Sequence, residues 1–233
     1  MVFINSLIFN TLFYLYTLIL SIIFLPFIKN KNIIQSLGKH WSRTCIIFLN
    51  IVGIQHECLG NRQINKQVIY AAKHQSAWET IILYFELNAP KFVIKKELLN
   101  YPIVGFLFKA AGCIAIDRKN IRKSIKLLIL KSNFENKEKK SIVIFPQGTR
   151  VEKNEKKPYK SGVFAIYKTS GLSVVPVALN SGTFWPKNGF MKYSGNIKIK
   201  FLDEIKPGMP KDKFMKKLEN IIEKETIKLE MEN

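Results

Sequence analysis

The sequence predicts an α/β fold with a mixed, largely parallel sheet flanked by helices and preceded by a membrane-associated helical region. Short apolar, strand-like runs alternate with helical segments from residue 68 onward, which is typical of α/β proteins. The first 28 residues carry no charged side chain, and about 20 apolar residues are enough to cross a bilayer. At 233 residues the chain is long enough for one domain with appendages.

The N-terminal residues are predicted to anchor the chain in a membrane. They lack the basic start and short apolar run of a signal peptide, although the polar Asn5, Asn10 and Thr17 leave a half-inserted helix open. Residues 33–52 carry apolar side chains at three- and four-residue steps, which indicates a second helix. This amphipathic helix is compatible either with the membrane interface or with packing on the globular body. We therefore predict an N-terminal anchoring region over residues 1–55 and a globular domain over 56–233.

Alternating elements follow Gly53. Strands are predicted at residues 68–72, 91–94, 114–116, 142–145, 174–179 and 197–202. Helices are predicted at residues 77–87, 121–130, 163–169 and 212–231, with a charged loop at 131–140. Three polar blocks directly follow predicted strands: His74, Arg118 and residues 146–150. Ligands gather at the carboxyl ends of strands in open α/β sheets, so parallel strands would bring these blocks to one rim.

The charge balance favours an anionic partner. Lys and Arg number 37 against 17 Asp and Glu, a net charge of +20, which suits a membrane surface, a phosphorylated substrate or nucleic acid. Compositional drift toward Lys also contributes. There is no Arg-rich helix, zinc-ligand spacing or RNA-binding aromatic signature, so no nucleic acid is predicted. Cys45, Cys58 and Cys113 are too widely spaced for a disulfide framework or metal cluster, and they fit a reducing compartment.

His74 is the candidate general base, because a neutral imidazole accepts a proton near physiological pH. Glu79 lies five residues further on, close enough to reach back to the imidazole and orient it. A second interpretation of the same residues stays open. Ser76 and Glu79 match a helix capping box, in which Glu79 would only stabilise the start of a helix.

A Gly-Thr-Arg turn is the candidate phosphate site. Gly148 allows a close backbone approach, Thr149 adds a hydroxyl, and the guanidinium of Arg150 suits phosphate oxygens. An ordinary turn with a solvated arginine fits the same residues. Arg118 is a similar second cation that could instead pair with Asp117. Lys95 either faces this site or is simply solvated.

Four blocks in this order resemble the glycerophospholipid acyltransferase family, and specifically its bacterial 1-acylglycerol-3-phosphate branch. The blocks are residues 73–79, 112–118, 145–150 and 175–177, and the resemblance extends from about Lys73 to Pro207. Two residues depart from the family pattern. Glu79 stands where the family usually has Asp, and Gln147 stands where it usually has Glu.

The resemblance implies transfer of a fatty acyl group from acyl-CoA or acyl carrier protein to the sn-2 hydroxyl of a lysophospholipid, giving phosphatidate. His74 would act as base without a covalent intermediate, oriented by Glu79. Arg118, Gly148, Thr149 and Arg150 would hold the substrate phosphate, and Lys95, Gln147 and Pro176 would line the site. No metal or other cofactor is expected.

The resemblance also implies a cellular location, and it leaves other acceptors and another function open. The enzyme would work at the bacterial cytoplasmic membrane, held near anionic lipid, with residues 56–233 as a catalytic domain on the cytoplasmic side. Other acceptors stay open: glycerol 3-phosphate, another lysophospholipid or a lipid A precursor. A non-catalytic, membrane-anchored protein that binds anionic lipid is the alternative from a different class.

Overall fold

The computed structural model describes residues 1–101, 104–117 and 140–232, and a seven-stranded sheet forms its centre. The strands are β1 Ile54–Gly60, β2 Ile69–Ala72, β3 Lys91–Lys95, β4 Ile114–Ile116, β5 Ile142–Ile144, β6 Val174–Leu179 and β7 Gly195–Phe201. The α-helices are α1 Val2–Phe24, α2 Lys31–Leu49, α3 Trp78–Glu86, α4 Val104–Ala110, α5 Gly162–Ser170, α6 Ser181–Phe184 and α7 Lys211–Met231. Short 3₁₀ turns cover Leu25–Phe27, Asn50–Val52 and Lys96–Asn100.

The sheet is mixed and largely parallel, as the sequence predicts. Its order is β1-β7-β6-β2-β5-β3-β4. The pairs from β6 through β2, β5 and β3 to β4 are all parallel, and β1 is parallel to β7. Among the described strands, only β6 and β7 pair antiparallel. Five neighbouring strands therefore point their carboxyl ends to the same edge of the sheet.

The predicted elements within the described residues are confirmed to within about two residues at each end. The helix predicted at 121–130 and nearly all of the loop predicted at 131–140 lie outside those residues. One strand was not predicted. Strand β1 carries Gln55, His56 and Glu57 among its residues and pairs with β7 alone at the edge of the sheet. The sequence does not reveal β1, because its polar side chains interrupt the apolar pattern by which strands are predicted, and a strand at the edge of a sheet can lack that pattern.

Two apolar cores cover the two faces of the sheet, as the alternation of side chains along β2 illustrates. Tyr70 and Ala72 pack into a core that includes Trp78 of α3. Ile69 and Ala71 pack into the other core, which includes Phe214 of α7. Both cores are continuous along the sheet, so helices flank it on both sides. The predicted α/β architecture is confirmed.

Helix α1 packs one side against the body and exposes the other. Phe9 is fully buried and meets Trp185 edge-on, with ring centroids 5.2 Å apart. Asn10 donates to the Phe190 carbonyl at 3.1 Å, and Trp41 of α2 donates to the Thr17 hydroxyl at 2.9 Å. Asn10 and Thr17 of α1 thus face protein. The exposed apolar side chains include Val2, Phe3, Ile4, Leu7, Ile8, Leu12, Leu15, Leu18, Ile19, Ile22 and Ile23.

Among the described residues, Val2–Phe27 is the one helical segment long and apolar enough to cross a membrane. Together with the exposed apolar face of α1, this agrees with association with a membrane. Helix α2 buries Leu37, Cys45 and Leu49 and packs on α3, so one of its faces belongs to the core. The boundary predicted between residues 55 and 56 falls inside β1, and the division into two domains stays a prediction.

Candidate active site

The candidate site lies at the carboxyl ends of neighbouring parallel strands. The loop with His74 follows β2, the loop from Phe145 to Arg150 follows β5, and Ser181 follows β6. Because these three strands are adjacent and parallel, their following loops meet at one rim. The sequence-based expectation that His74 and residues 146–150 converge is confirmed.

His74 and Glu79 form a close pair. Nδ1 of His74 lies 2.8 Å from Oε1 of Glu79. The carboxylate is completely buried, whereas the side chain of His74 keeps 16% of its surface exposed. A neutral imidazole that donates from Nδ1 to Glu79 leaves Nε2 as its proton acceptor, and this tautomer is assigned from the hydrogen-bond network.

Glu79 also contributes to the start of α3, but the predicted capping box is only partly formed, because the N-cap is Ala77 and not Ser76. Its Oε1 accepts from the backbone N–H groups of Gln75, at 2.6 Å, and Ser76, at 2.7 Å. Its Oε2 accepts from the hydroxyl of Ser181 at 2.9 Å. The hydroxyl of Ser76 accepts from the N–H of Trp78, at 3.1 Å. One buried carboxylate therefore stabilises the start of α3 and orients His74 at the same time.

The segment from Phe145 to Val151, which follows β5 and is called the second loop below, binds both the N–H and the carbonyl of His74. The His74 N–H donates to Oε1 of Gln147 at 3.1 Å, and the Val151 N–H donates to the His74 carbonyl at 2.8 Å. The ring of His74 stacks on Phe145, with centroids 3.9 Å apart and planes 14° apart. The loop can turn back on itself because Gly148 adopts a left-handed conformation, with φ of 69°.

A cavity of about 600 Å³ opens at His74, a size that suits a small-molecule or lipid ligand. At this end it is lined by Gly148, Thr149 and Arg150, with Lys95 and Lys160 nearby along the wall. The remainder runs between α1, α2, α3, β3 and α4. Its apolar lining includes Leu20, Leu37, Trp41, Tyr84, Phe92 and Leu107. The cavity lining thus combines His74 and cationic side chains with a large apolar surface.

Apart from Glu79, which is buried and binds His74, the predicted site residues separate into three groups. His74, Lys95, Gly148, Thr149 and Arg150 line the same cavity. Arg118 lies outside the described residues.

Gln147 and Pro176 are not among the lining residues. The side chain of Gln147 is completely buried and turns toward α7, where its Nε2 donates to Oε1 of Glu223 at 3.3 Å. Pro176 is buried within β6 and is paired in register with Ala71. The structure therefore gives these two residues a place behind the site.

Sequence reasoning missed three side chains at the site. Phe145 supports the ring of His74, Ser181 binds Glu79, and Glu223 binds both Lys73 and Gln147. Ser181 carried a usable signal, because it follows a strand directly. Glu223 carried none, since it is one of many charged residues on an amphipathic helix.

The thiols nearest the cavity are held in the protonated form. Burial raises the pKa of Cys113, which lines the cavity, to about 12. Burial also raises the pKa of Cys45 to about 12. A thiolate nucleophile is therefore disfavoured at either position. That no covalent intermediate forms stays a prediction.

One group among the described residues has the composition of a metal site. The ligand atoms of His56, Cys58 and Glu86 lie within 4.8 Å of one another. Arg62 donates to the carboxylate of Glu86 and brings a positive charge beside it. None of the three residues lines the cavity, so the expectation that acyl transfer uses no metal rests on the sequence resemblance alone.

The fold and the site together define an acyltransferase. Residues 53–180 match the Acyltransferase family, and the chain belongs to that family.

Individual members of the family that resemble this chain are 1-acyl-sn-glycerol-3-phosphate acyltransferases. A 1-acyl-sn-glycerol-3-phosphate acyltransferase of Pseudomonas aeruginosa is 32% identical over 182 residues, which cover 77% of this chain and 71% of the relative. One from Helicobacter pylori is 27% identical over 205 residues, covering 86% and 83%. The crystal structure of the 1-acyl-sn-glycerophosphate acyltransferase of Thermotoga maritima superimposes with a TM-score of 0.78, at 18% identity and 98% coverage of both chains. That last likeness concerns the fold.

Proposed function

We propose that this chain transfers a fatty acyl group to the sn-2 hydroxyl of 1-acyl-sn-glycerol 3-phosphate and so forms phosphatidate. The observation that carries the proposal is the cavity, because its lining combines His74, which is held by Glu79, with cationic side chains and an extensive apolar surface. A lysophosphatidate has matching parts: a phosphate, a free hydroxyl and a hydrocarbon chain. The relatives from Pseudomonas and Helicobacter carry this activity in their names.

The phosphate is assigned to the Gly148–Arg150 turn. The guanidinium of Arg150 can bind two phosphate oxygens at once, and Lys160 adds a second positive charge on the same wall. Arg118 is proposed as a further cation, on the resemblance alone. A phosphate held there would leave the glycerol hydroxyl facing His74, because both groups line one end of the cavity.

His74 is proposed as the general base. Nε2 takes the proton of the sn-2 hydroxyl while the hydroxyl oxygen attacks the thioester carbonyl. The C–S bond then breaks, and the imidazolium returns the proton to the thiolate, which leaves as the thiol of the donor. The imidazolium is stabilised by Glu79, whose negative charge stays fixed by three further donors. Positioned base catalysis of this kind contributes roughly 10²–10⁴-fold to the rate.

The net charge and the apolar face of α1 support a proposal for the class of acyl donor and for the location. Acyl-CoA and acyl carrier protein are both acidic, and the net charge of +20 suits either one. The apolar face of α1 would enter the bacterial cytoplasmic membrane, where the lyso-lipid and the product reside. Lys29 and Lys31 directly follow this helical region, and the positive-inside tendency then places the catalytic loops on the cytoplasmic side.

The decisive experiment measures acyl transfer to lysophosphatidate in detergent or liposomes, with acyl-CoA and acyl carrier protein tested separately. We expect His74→Ala to lower kcat by about 10²-fold or more, since Nε2 is the proton acceptor. His40→Ala is the matched control, because His40 is an exposed residue of α2 outside the cavity lining. Circular dichroism checks the fold of both variants.

Each outcome separates the alternatives. Full activity in a folded His74→Ala variant contradicts the role of His74. A wild-type protein that acylates glycerol 3-phosphate or a different lysolipid, and not lysophosphatidate, contradicts the acceptor. Binding to anionic liposomes without transfer to any acceptor would indicate the non-catalytic alternative.

A further inference from the structure

The two side chains that flank His74 are both attached to the C-terminal helix, α7. Lys73 donates from Nζ to Oε2 of Glu223 at 2.6 Å, and Gln75 donates from Nε2 to Oε1 of Glu230 at 2.7 Å. Lys73 and Gln75 are 3% and 1% exposed. Positions 223 and 230 are two helical turns apart and share one face of α7. The His74 loop is therefore fastened to α7 on both sides of the histidine.

Glu223 also holds the second loop. Its Oε1 accepts from Nε2 of Gln147 at 3.3 Å and from the hydroxyl of Tyr159 at 2.8 Å. With Nε2 turned to Glu223, the amide oxygen of Gln147 faces the His74 N–H, 3.1 Å away. Burial, followed by the charge of Glu223, raises the pKa of Tyr159, so that its hydroxyl stays a donor. The carboxylate of Glu223 accepts from both Tyr159 and Gln147, and it thereby sets which end of the Gln147 amide faces His74.

The carboxylate of Glu223 also pairs with the buried ammonium of Lys73. A buried ammonium such as that of Lys73 requires a counter-charge, since an unpaired buried charge is strongly disfavoured. Glu223 supplies this charge, and its own side chain keeps 26% of its surface exposed. One carboxylate from α7 thereby serves both the residue before His74 and the residue that binds the His74 N–H.

We propose that Glu223 is a positioning residue for acyl transfer, which acts on His74 through Lys73 and Gln147. By accepting from both side chains it fixes the backbone of His74, and hence the direction in which Nε2 points into the cavity. This inference rests on the proposed function, because it assigns to Glu223 the alignment of the proposed base. Glu230 fixes the other side of the loop through Gln75.

The polarity of the network predicts an unusual pattern of variants. In Glu223→Gln the new amide nitrogen meets Nε2 of Gln147, two donors face each other, and Gln147 must turn its oxygen away from His74. In Gln147→Glu two carboxylates lie about as close as the present 3.3 Å contact, and they repel.

The double variant exchanges the amide and the carboxylate between the two positions. Lys73 then donates to the amide oxygen at position 223, and the amide nitrogen at position 223 donates to the carboxylate at position 147. That carboxylate in turn accepts from the His74 N–H. Each change alone breaks the network. Together they restore the donor–acceptor order between positions 147 and 223 and keep one carboxylate in the network, whereas Lys73 then donates to a neutral amide oxygen and the hydroxyl of Tyr159 must turn to accept.

The test is a double-variant cycle on the full chain, assayed with lysophosphatidate. We expect each single variant to lose about tenfold or more in kcat, with KM for lysophosphatidate nearly unchanged, and the double variant to regain part of that loss, because it restores the contact between positions 147 and 223 but not the charge opposite Lys73. Glu225→Gln is the matched control on the same helix, because Glu225 pairs with Lys200 and not with the site loops. Wild-type kcat in Glu223→Gln, or a double-variant loss equal to the product of the single losses, overturns the proposal.

A second readout does not depend on the acceptor. Diethyl pyrocarbonate modifies histidines, and mass spectrometry gives the modification rate of His74 relative to the exposed His40. We expect this ratio to change at least about threefold in Glu223→Gln, because a reoriented imidazole differs in exposure, and to move back toward the wild-type value in the double variant. An unchanged ratio contradicts the proposal even if no transfer to lysophosphatidate is found, whereas a changed ratio without transfer contradicts only the proposed acceptor. If Glu223→Gln does not fold, loss in Gln147→Glu and recovery in the double variant decide the same question.

Discussion

At the scale of single residues, Glu79 shows how one carboxylate can satisfy two demands. Two backbone N–H groups and the imidazole of His74 share Oε1, and the Ser181 hydroxyl binds Oε2. The capping interpretation and the catalytic interpretation of this residue are therefore compatible. The loop carries both because His74 precedes the helix that Glu79 helps to start.

The role of the negative charge of Glu79 can be tested with glutamine, which has nearly the same shape and no charge. We expect Glu79→Gln to lower kcat by about 10²-fold or more, because the neutral amide no longer stabilises the imidazolium. The measurement is kcat as a function of pH in detergent. Ser181→Ala is the comparison, since it removes one neutral donor from Oε2 and should cost less. Equal losses in the two variants would contradict a special role for the carboxylate charge.

The sequence identified the pair of His74 and Glu79 because both residues lie within one short loop. It could not identify Glu223, which lies 150 residues from Lys73, and the position of Ser181 after a strand gave no indication that it binds Glu79, 102 residues away. Such contacts depend on where a loop or helix packs after the sheet has formed. Gln147 shows the same limit: the sequence placed it at the site, and the structure turns its side chain to α7.

At the scale of elements, the parallel strands explain why most of the site could be predicted. Each polar block follows an apolar strand, and one direction for β2, β5 and β6 is enough to bring the blocks together. The path of the apolar cavity could not be predicted. It depends on close packing of α2 against α3 at Gly38, where a Cβ would lie 2.5 Å from Cε1 of Tyr84.

The apolar end of the cavity should set the length of the acyl chain. Cys113 lines it, and a larger side chain there would occupy space that the proposed function gives to hydrocarbon. We expect Cys113→Phe to shift the preference toward shorter acyl chains, measured as kcat/KM across donors of increasing length. Cys58→Phe is a control outside the cavity lining. An unchanged preference in a folded Cys113→Phe variant would show that the acyl chain lies elsewhere.

At the scale of the whole molecule, the N-terminal helices are joined to the sheet through the segment before β7. The Lys192 N–H donates to the Ser6 hydroxyl at 2.9 Å, and its ammonium donates to the carbonyls of Gly189 and Phe190, 2.9 and 2.8 Å away. The same ammonium lies 5.1 Å from the centroid of the Trp185 ring. Lys192 is only 3% exposed, so a charged side chain is buried at this junction.

This burial predicts a pH dependence of stability. Burial lowers the pKa of Lys192 from 10.5 to about 8. Between these values the unfolded chain binds more protons than the folded chain, so the contribution of Lys192 makes the free energy of unfolding rise with pH from about 8 to about 10.5. Denaturant unfolding of wild type and Lys192→Met in detergent, over this range, measures the difference. Parallel pH dependence in the two proteins would contradict the lowered pKa.

The hydrogen bonds from the loop after β5 to the backbone of His74 have a consequence for local unfolding. The two loops are about 75 residues apart in sequence, yet the His74 N–H and carbonyl are both engaged by the second loop. Neither loop can open without releasing the other, so both should exchange amide hydrogens as one cooperative unit. A half-assembled site is therefore rarely populated, and the histidine is presented to the cavity only when the turn that carries Arg150 is also in place.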